Sequence, residues 1–322
     1  MNLFFGSVSI PMDSFIDFLS FRSDNSNIYH IIISEARLPQ ALTAIMVGAS
    51  LSVAGLLMQT LFRNPLAGPG ILGVSSGASL GVAIFTLLGG FGLSSAIGFI
   101  FMEMNLLFAA SLGSFLTLGL VLLFSNHIKN NVSLLIIGLM IGYLASSLIG
   151  FLQFVSHQQQ IHTFVLWGLG SFSNVSSEQI PILSLFSLLG IGLSFLFIKP
   201  LNLLLLGENY ASNLGISIKK TRFYLILIAG ILTAVSTAYA GPIAFIGLAV
   251  PHLSRMIFKE SDHKILLPGI VLTGIAIALA CSLISRLPGL EQAIPINTVT
   301  SLFGAPLVVY FIMKNNRFKF NA

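Results

Sequence analysis

The side chains that could perform chemistry are few and lie far apart in this sequence. Cys281 is the single cysteine, which excludes an internal disulfide and a cysteine-based metal cluster. His157 and His162 flank a run of glutamines, and two histidines alone do not hold a metal ion securely. His252 lies in a hydrophobic stretch without an evident acidic or nucleophilic partner. The sequence therefore predicts neither a metal site nor a hydrolytic site, and no cofactor.

A loop that could bind the phosphates of a nucleotide is also absent from the sequence. The pattern Gly-x-x-x-x-Gly-Lys-Ser/Thr does not occur, and the segment from Gly73 to Gly81 lacks the lysine that would reach a phosphate. Gly73, Gly77 and Gly81 recur every fourth residue, which places a ridge of small residues on one helix face and favours close packing. We predict a chain that hydrolyses no ATP itself.

Composition indicates an integral membrane protein. The 322 residues are 55% hydrophobic and only 8% charged, with a mean hydropathy of +0.96. A soluble domain of this size carries about 25% charged residues. The net charge of +5 is not accompanied by the basic patch and aromatic platforms of a nucleic-acid-binding protein.

Uncharged runs predict an all-α bundle with nine membrane-spanning helices, because a helix needs about 20 apolar residues to cross the hydrocarbon core. The nine predicted spans are 38–62, 70–89, 105–124, 134–154, 180–198, 223–240, 243–257, 265–284 and 294–313. Residues 90–104 are predicted to be a loop or a half-inserted segment, and residues 162–169 a short helix at a membrane face. We divide the chain into an acidic extramembrane segment, residues 1–36, and one transmembrane domain, residues 37–322. The domain includes a long polar loop at 200–221.

The lysine and arginine residues predict the orientation of these spans. If residues 1–36 lie outside, twelve of the fifteen basic residues lie inside and three outside, as the positive-inside rule requires. The C-terminus is then cytoplasmic. An odd number of spans with an outside N-terminus and no signal peptide leads us to expect a further helix before Leu3 in the native protein.

Six motifs, in a fixed order, cover most of the chain. They are RLP at 37–39, GASLSVAGLLMQTLFRNPLAGPGILGVSSGA at 48–78, LGENYASNLG at 206–215, GPIAFIGLAVPHLSR at 241–255, DHKILLPG at 262–269 and GAP at 304–306. Together they resemble the permease subunits of the FecCD family, the membrane half of type II ABC importers for iron-siderophores, haem and cobalamin. Members usually have ten helices with both ends in the cytoplasm, which agrees with the further helix expected here.

The resemblance assigns roles to several sets of residues. It implies coupling to the ATPase for Gly207, Glu208, Ala211, Leu214 and Gly215. It implies a cytoplasmic gate for Asn64, Pro65 and Leu66, with Asn131 and Val132 in the partner gate loop. It implies docking of a substrate-binding protein for Arg37 and Arg286, and a place near the pathway for Trp167. Without the resemblance, the same residues would be interpreted as a solvated loop, a helix break, interfacial arginines and an interfacial anchor. The resemblance makes His252 a packing and polar-network residue.

Three positions depart from the family pattern near the predicted docking arginines. Gln40 stands where the family often has a second arginine, Ser282 where it commonly has an acidic residue, and Ala293 where it often has glutamate. These departures predict a weaker or rearranged docking contact.

The sequence thus predicts the permease subunit of an ATP-driven, binding-protein-dependent importer in the bacterial inner membrane. Iron-siderophore complexes lead as substrate, and haem and cobalamin are the alternatives. The expected partners are two copies of an ABC ATPase, a periplasmic or lipid-anchored binding protein and a second permease copy; homodimer and heterodimer both remain open. An ion-coupled secondary transporter is a competing hypothesis, but it predicts ionisable residues at mid-span, and the spans hold almost none. An intramembrane hydrolase is a third hypothesis. It would need a paired acid or a Ser/His set at membrane depth, and His252 has no evident partner in the sequence.

Overall fold

The structure, a computed structural model, describes residues 2–4, 10–13, 18, 28–88, 106–128, 130–287 and 293–316. Within these ranges the regular elements are helices. They are α1 Ile28–Leu61, α2 Val74–Leu88, α3 Leu106–His127, α4 Asn131–Val155, α5 Gln158–Gly168, α6 Ile180–Leu196, α7 Ile198–Leu205, α8 Glu208–Asn213, α9 Ile218–Ala240, α10 Ile246–Phe258, α11 His263–Ser285 and α12 Ile296–Asn316. The all-α prediction is confirmed.

The lengths of the helices agree with many, but not all, of the predicted spans. α1, α3, α4, α9 and α11 are each long and apolar enough to cross a membrane. α6 and α7 pass the same test together, although the chain bends by 57° between them. α2, α10 and residues Ile296–Phe311 of α12 are shorter apolar helices. The count of nine spans stays a prediction, and the predicted segment 90–104 lies outside the described residues.

The first helix begins earlier than predicted. The sequence suggested a start at residue 38, but α1 begins at Ile28 and passes through a π-helical turn, Ile32–Arg37, before Pro39. Pro39 is the second residue of the regular α-helical part, where its missing N–H costs little, and it therefore does not end the helix. Ile33, which is fully buried, supplies an apolar contact in the part of the helix that precedes Pro39.

Glycines allow α1 to pack against its neighbours at backbone distance. A Cβ at Gly48 would lie 2.6 Å from the carbonyl oxygen of Gly274 on α11, and one at Gly55 would overlap the carbonyl oxygen of Gly247 on α10. Because membrane helices gain little from the hydrophobic effect, such close contact is a main source of their association. α1 is consequently the centre of the bundle.

Burial differs strongly among the helices. In the apolar windows of α1 and α9, 83% and 78% of the residues are buried inside the chain, against 33% in α3 and 17% in α4. α1 and α9 therefore form the core, whereas α3 and α4 present most of their surface to lipid or to another protein.

The glycine ridge predicted on α2 is divided between two neighbouring helices. Gly77 and Gly81 lie against the backbone of Gly113 and Ala109 on α3, as expected for close packing. Gly73 lies outside α2: it has a φ of +74° at the end of the 3-10 turn Pro69–Leu72, and it faces α4. A positive φ is the conformation that glycine adopts at least cost.

Candidate functional site at one end of the bundle

The predicted gate residues form a tight turn directly after α1. Arg63 has a φ of +48°, which reverses the chain after the helix. The side-chain oxygen of Asn64 accepts a hydrogen bond from the backbone N–H of Leu66 at 2.9 Å, and its carbonyl accepts one from Ala67 at 3.0 Å. An asparagine that bonds its own backbone in this way stabilises a turn. We call the end of the molecule that holds this turn and α8 the polar end.

A buried histidine holds this turn in place. The ring of His252, which is fully buried on α10, lies with Nε2 2.7 Å from the carbonyl oxygen of Pro65. Because a carbonyl only accepts hydrogen bonds, Nε2 carries the proton and donates it. The ring also packs on Phe311 of α12 with 4.0 Å between centroids. The structure thus gives His252 the packing and polar-network role that the resemblance implied.

The predicted coupling residue and a predicted gate residue are in direct contact. The amide nitrogen of Asn131, at the start of α4, donates to Glu208 Oε1 at 2.6 Å and to the carbonyl of Leu61 at 3.1 Å. Glu208 opens α8, and Arg222 of α9 lies 3.3 Å from the same carboxylate oxygen. Arg222 also donates to the carbonyl of Ile128 at 2.9 Å. This network joins α8, α4, α9 and the last turn of α1.

A cleft of about 790 Å³ opens beside this network. Its wall combines four asparagine side chains, one guanidinium and one carboxylate with a leucine and a tyrosine. The lining residues are Arg63, Asn130, Asn131, Leu206, Gly207, Glu208, Asn209, Tyr210 and Asn213. Such a polar, open surface suits contact with another protein better than burial in lipid.

The remaining predicted coupling and gate residues differ in burial and in backbone conformation. Ala211 is fully buried and anchors α8 to the bundle, whereas Leu214 and Val132 expose 54% and 63% of their surface. Gly207 and Gly215 have φ values of +114° and +87°, and they mark the two ends of α8. Glycine is required at both ends because other side chains are strained in these conformations.

The two predicted docking arginines differ in accessibility. Arg37 is only 3% exposed, and its guanidinium donates to the carbonyls of Leu3 and Phe4 at 2.9 and 2.6 Å. Arg286 follows the end of α11 and is half-buried; its contact with Ser282 Oγ is long, at 3.5 Å. Burial, together with the positive charge of Arg37, lowers the pKa of Arg286 to about 10, so the group remains protonated at neutral pH.

Trp167 is buried where several turns meet at the opposite end. It is 8% exposed, and the chain after it bends at Gly170, with a φ of +71°. The backbone N–H of Ser171 donates to the carbonyl of Ala240 at 2.9 Å, and a Cβ at Gly241 would lie 2.7 Å from the carbonyl oxygen of Trp167. In this chain alone the indole is a packing residue. Gln40 and Ala293, two of the departures, line a small cavity of about 140 Å³ near the same turns.

The sequence did not point to Arg222 as a partner of Glu208, and it gave no role to Thr60, Asn202 or His263. In the sequence, Arg222 is one of the twelve basic residues that the positive-inside rule assigns to the inside. Its position, fourteen residues after Glu208 in the chain, carries no periodic signal. A buried arginine near the start of a spanning helix is nevertheless a reason to look for an acidic partner, because an unpaired buried charge is costly.

A bundle of apolar helices around a central α1, with short helices at one polar end, is the architecture of a multi-span membrane protein. The FecCD transport family matches residues 1–314 of the chain, and the chain belongs to this family. The hemin transport system permease HmuU of Yersinia pestis is 35% identical over 302 residues, which cover 92% of this chain and 88% of the relative. The vitamin B12 import permease BtuC of Photorhabdus laumondii is 37% identical over 286 residues, covering 88% and 82%.

A solved structure agrees with this assignment. A metal-chelate type ABC transporter in an inward-facing conformation matches with a TM-score of 0.82 at 32% identity. The match covers 97% of this chain and 94% of that one. Both relatives named above are transport permeases. The chain is therefore a permease subunit of the ABC importer type, and this type of permease works with a separate ATPase and a substrate-binding protein.

Proposed function

We propose that this chain forms the translocation pathway and gates of an ATP-driven importer of large metal chelates, with its C-terminus in the cytoplasm of a bacterial cell. The observation that carries the proposal is the hydrogen bond between Glu208 on α8 and Asn131 on α4. α8 is the element that would lie against the ATPase, and Asn131 in turn bonds the last turn of α1, immediately before the predicted gate. A movement of α8 therefore displaces the gate without any intervening flexible segment.

The pathway is proposed to run along the exposed face of α4. Most of this face is apolar, but Tyr143, Ser146 and Ser147 are exposed on it near the middle of the helix. Hydroxyl groups gain no hydrogen-bond partner from lipid tails, so this face suits a second permease copy or a water-filled passage. The low burial of α4 agrees with this arrangement.

Docking of the binding protein is proposed to depend on Arg286 more than on Arg37. Exposed charge-assisted pairs orient an encounter, and this requires a guanidinium that the partner can reach. Arg286 is the more accessible of the two, while Arg37 is occupied with backbone carbonyls. A role of Arg37 in docking would need these two hydrogen bonds to open.

The leading substrate class remains iron-siderophore complexes, and haem and cobalamin are the second candidates. The relatives named above are permeases for hemin and vitamin B12, so haem and cobalamin match the comparisons as well. Among the described residues no group of three or more His, Cys, Asp or Glu side chains could hold a metal ion.

The test is reconstitution of the permease in liposomes with the ATPase and binding protein of the same bacterium. Uptake driven by ATP is measured for a hydroxamate iron chelate, a catecholate iron chelate, haem and cyanocobalamin. We expect ATP-dependent uptake of one of these classes, together with ATPase activity that the loaded binding protein stimulates. Deletion of Glu208–Asn213 should abolish recovery of the ATPase with the permease.

Uptake that follows a proton or sodium gradient, with no ATPase recovered, would contradict the proposal and restore the secondary transporter. Uptake of haem or cyanocobalamin but of neither iron chelate would keep the importer and replace its leading substrate.

A further inference from the structure

A second set of polar contacts holds the last turn of α1, at the residue next to the one that Asn131 contacts. Thr60 Oγ1 lies 3.0 Å from Nε2 of His263, the first residue of α11, and His263 Nδ1 lies 2.7 Å from Oδ1 of Asn202 on α7. Thr60 and His263 are 3% and 1% exposed. These three residues lie on three different helices, so the contacts are between elements and not within one.

The direction of each hydrogen bond follows from Asp262. Its carboxylate accepts from the side-chain amide of Asn202 at 2.6 Å and from the backbone N–H of Lys264 at 2.9 Å. These bonds, that of Lys264 first, hold the pKa of Asp262 below its usual range, so it remains a pure acceptor. The amide nitrogen of Asn202 must then face Asp262, and its oxygen faces His263.

The orientation of Asn202 sets the proton position on the histidine. Asn202 Oδ1 accepts from the backbone N–H of His263 at 2.9 Å and from its Nδ1. In the neutral ring the proton therefore sits on Nδ1, and Nε2 is left as an acceptor. The hydroxyl of Thr60 donates to it. The chain of bonds from Asp262 to Thr60 has one consistent direction.

We propose that Asn202, His263 and Thr60 form the second half of a clamp through which the segment of α7 and α8 moves α1. The first half is Asn131, whose amide nitrogen donates both to Glu208 and to the carbonyl of Leu61. Thr60 and Leu61 are adjacent residues, and the turn Asn64–Leu66 follows directly. Asn202 on α7 and Glu208 on α8 belong to one connected segment, so this segment holds the end of α1 at two adjacent residues, through His263 and through Asn131. His263 is a positioning residue, and the inference rests on the proposed function.

The clamp makes a prediction that packing alone does not make. Thr60→Val keeps the shape of the side chain but removes the donor, whereas Thr60→Ser keeps the hydroxyl and removes a methyl group. In the reconstituted importer we expect Thr60→Val to lower the amount of substrate taken up per ATP hydrolysed by about five-fold, the loss that corresponds to one hydrogen bond. Stimulated ATPase activity should stay within about two-fold of that of the unmodified chain, and Thr60→Ser should restore coupling. Asn202→Leu is a second variant, at a less buried position, with the same expected result.

A direct measurement of the gate complements the transport assay. Cys281→Ala gives a cysteine-free chain, because Cys281 is its single cysteine. Leu66→Cys then places one thiol on the gate turn, where Leu66 is 44% exposed. We expect ATP to change the labelling rate of this thiol in the assembled importer, and Thr60→Val to reduce that change.

The possible outcomes separate the two proposals. Equal uptake per ATP for Thr60→Val and Thr60→Ser would overturn the clamp, and so would a parallel loss of ATPase activity and uptake with a lowered melting temperature, which indicates a structural role only. Failure of the unmodified permease to bind an ATPase would instead overturn the proposed function itself, before any variant is compared.

Discussion

The ion pair between Glu208 and Arg222 is the contact on which the polar end of the bundle depends. The side chain of Arg222 is 6% exposed and that of Glu208 is 32% exposed, so removal of the carboxylate leaves a largely buried cation. The carbonyl of Ile128 would be its remaining hydrogen-bond partner among the described residues. Truncation of one member of a buried pair generally costs more than the pair contributes, because the other charge loses its compensation.

Glu208→Gln should therefore destabilise the protein although the amide is nearly the same size as the carboxylate. The glutamine amide can still accept a hydrogen bond from Asn131. We therefore expect the free energy of unfolding to fall by about 1 kcal/mol for Glu208→Gln and by about twice that for Glu208→Ala. The measurement is the melting temperature of the purified permease in detergent. Glu260→Gln is the matched control, since Glu260 is exposed and makes no ion pair with any described residue. Equal melting temperatures for Glu208→Gln and Glu260→Gln would contradict the assignment.

At the scale of elements, α1 is defined by what its glycines allow. The contacts of Gly48 with α11 and of Gly55 with α10 bring backbones together, and a methyl group at either position has no space. Neither backbone can give way locally, because both are held in regular helices. α1, α10 and α11 therefore pack as one unit at Gly48 and Gly55, and we expect movement during transport to be concentrated at the ends of these helices, where α7, α8 and the gate turn contact them.

Gly55→Ala should prevent normal packing of this unit. The added Cβ would overlap the carbonyl oxygen of Gly247, so α1 and α10 must separate, at a cost of about 1–3 kcal/mol or more. Gly192→Ala on α6 is the control, because a Cβ there meets nothing within 4 Å. Alanine is also more favourable than glycine inside a helix by about 1 kcal/mol. The yield of monodisperse protein and the melting temperature should fall for the first variant only. A loss of stability in both variants would show that helix packing at Gly55 is not the cause.

The helices were predictable to within a few residues at most ends because lipid leaves the backbone few alternatives. The start of α1 was missed because Ser34, Glu35 and Arg37 read as a polar boundary, while burial of Ile33 and Arg37 against the rest of the chain outweighs it. The contact of Glu208 with Asn131 could not be derived from spacing, since 77 residues separate them. The family resemblance named both residues, but only the folded chain shows that they touch. Thr60 and His263 are 203 residues apart, and nothing in the sequence pattern predicts that they touch.

At the scale of the whole molecule, one chain leaves a large surface without a protein partner. α4 exposes Tyr143, Leu144 and Phe154 by 66%, 63% and 88%. A transport pathway needs walls on all sides, and this single face supplies one of them. A second copy related by two-fold symmetry would supply the other through the same face.

We therefore expect two chains of 34.5 kDa in the detergent-solubilised particle, measured by light scattering with correction for bound detergent. Tyr143→Cys in the Cys281→Ala chain tests the face directly, because copies that meet through α4 should form a disulfide-linked dimer under mild oxidation. Leu272→Cys on α11, equally exposed at 66%, is the control and should not cross-link. A particle of one chain, or equal cross-linking at both positions, would contradict the arrangement.

The central place of α1 has a consequence for synthesis in the cell. α1 is the first long helix among the described residues to leave the ribosome, yet the helices that enclose it, α9 to α11, begin only at Ile218. At about 5–20 residues per second, roughly ten seconds or more pass before they emerge. During this interval Thr43, Gln59 and Thr60, which are buried in the finished fold, lie on a helix without those neighbours. The nascent chain must be protected from premature association and degradation until its last third is inserted.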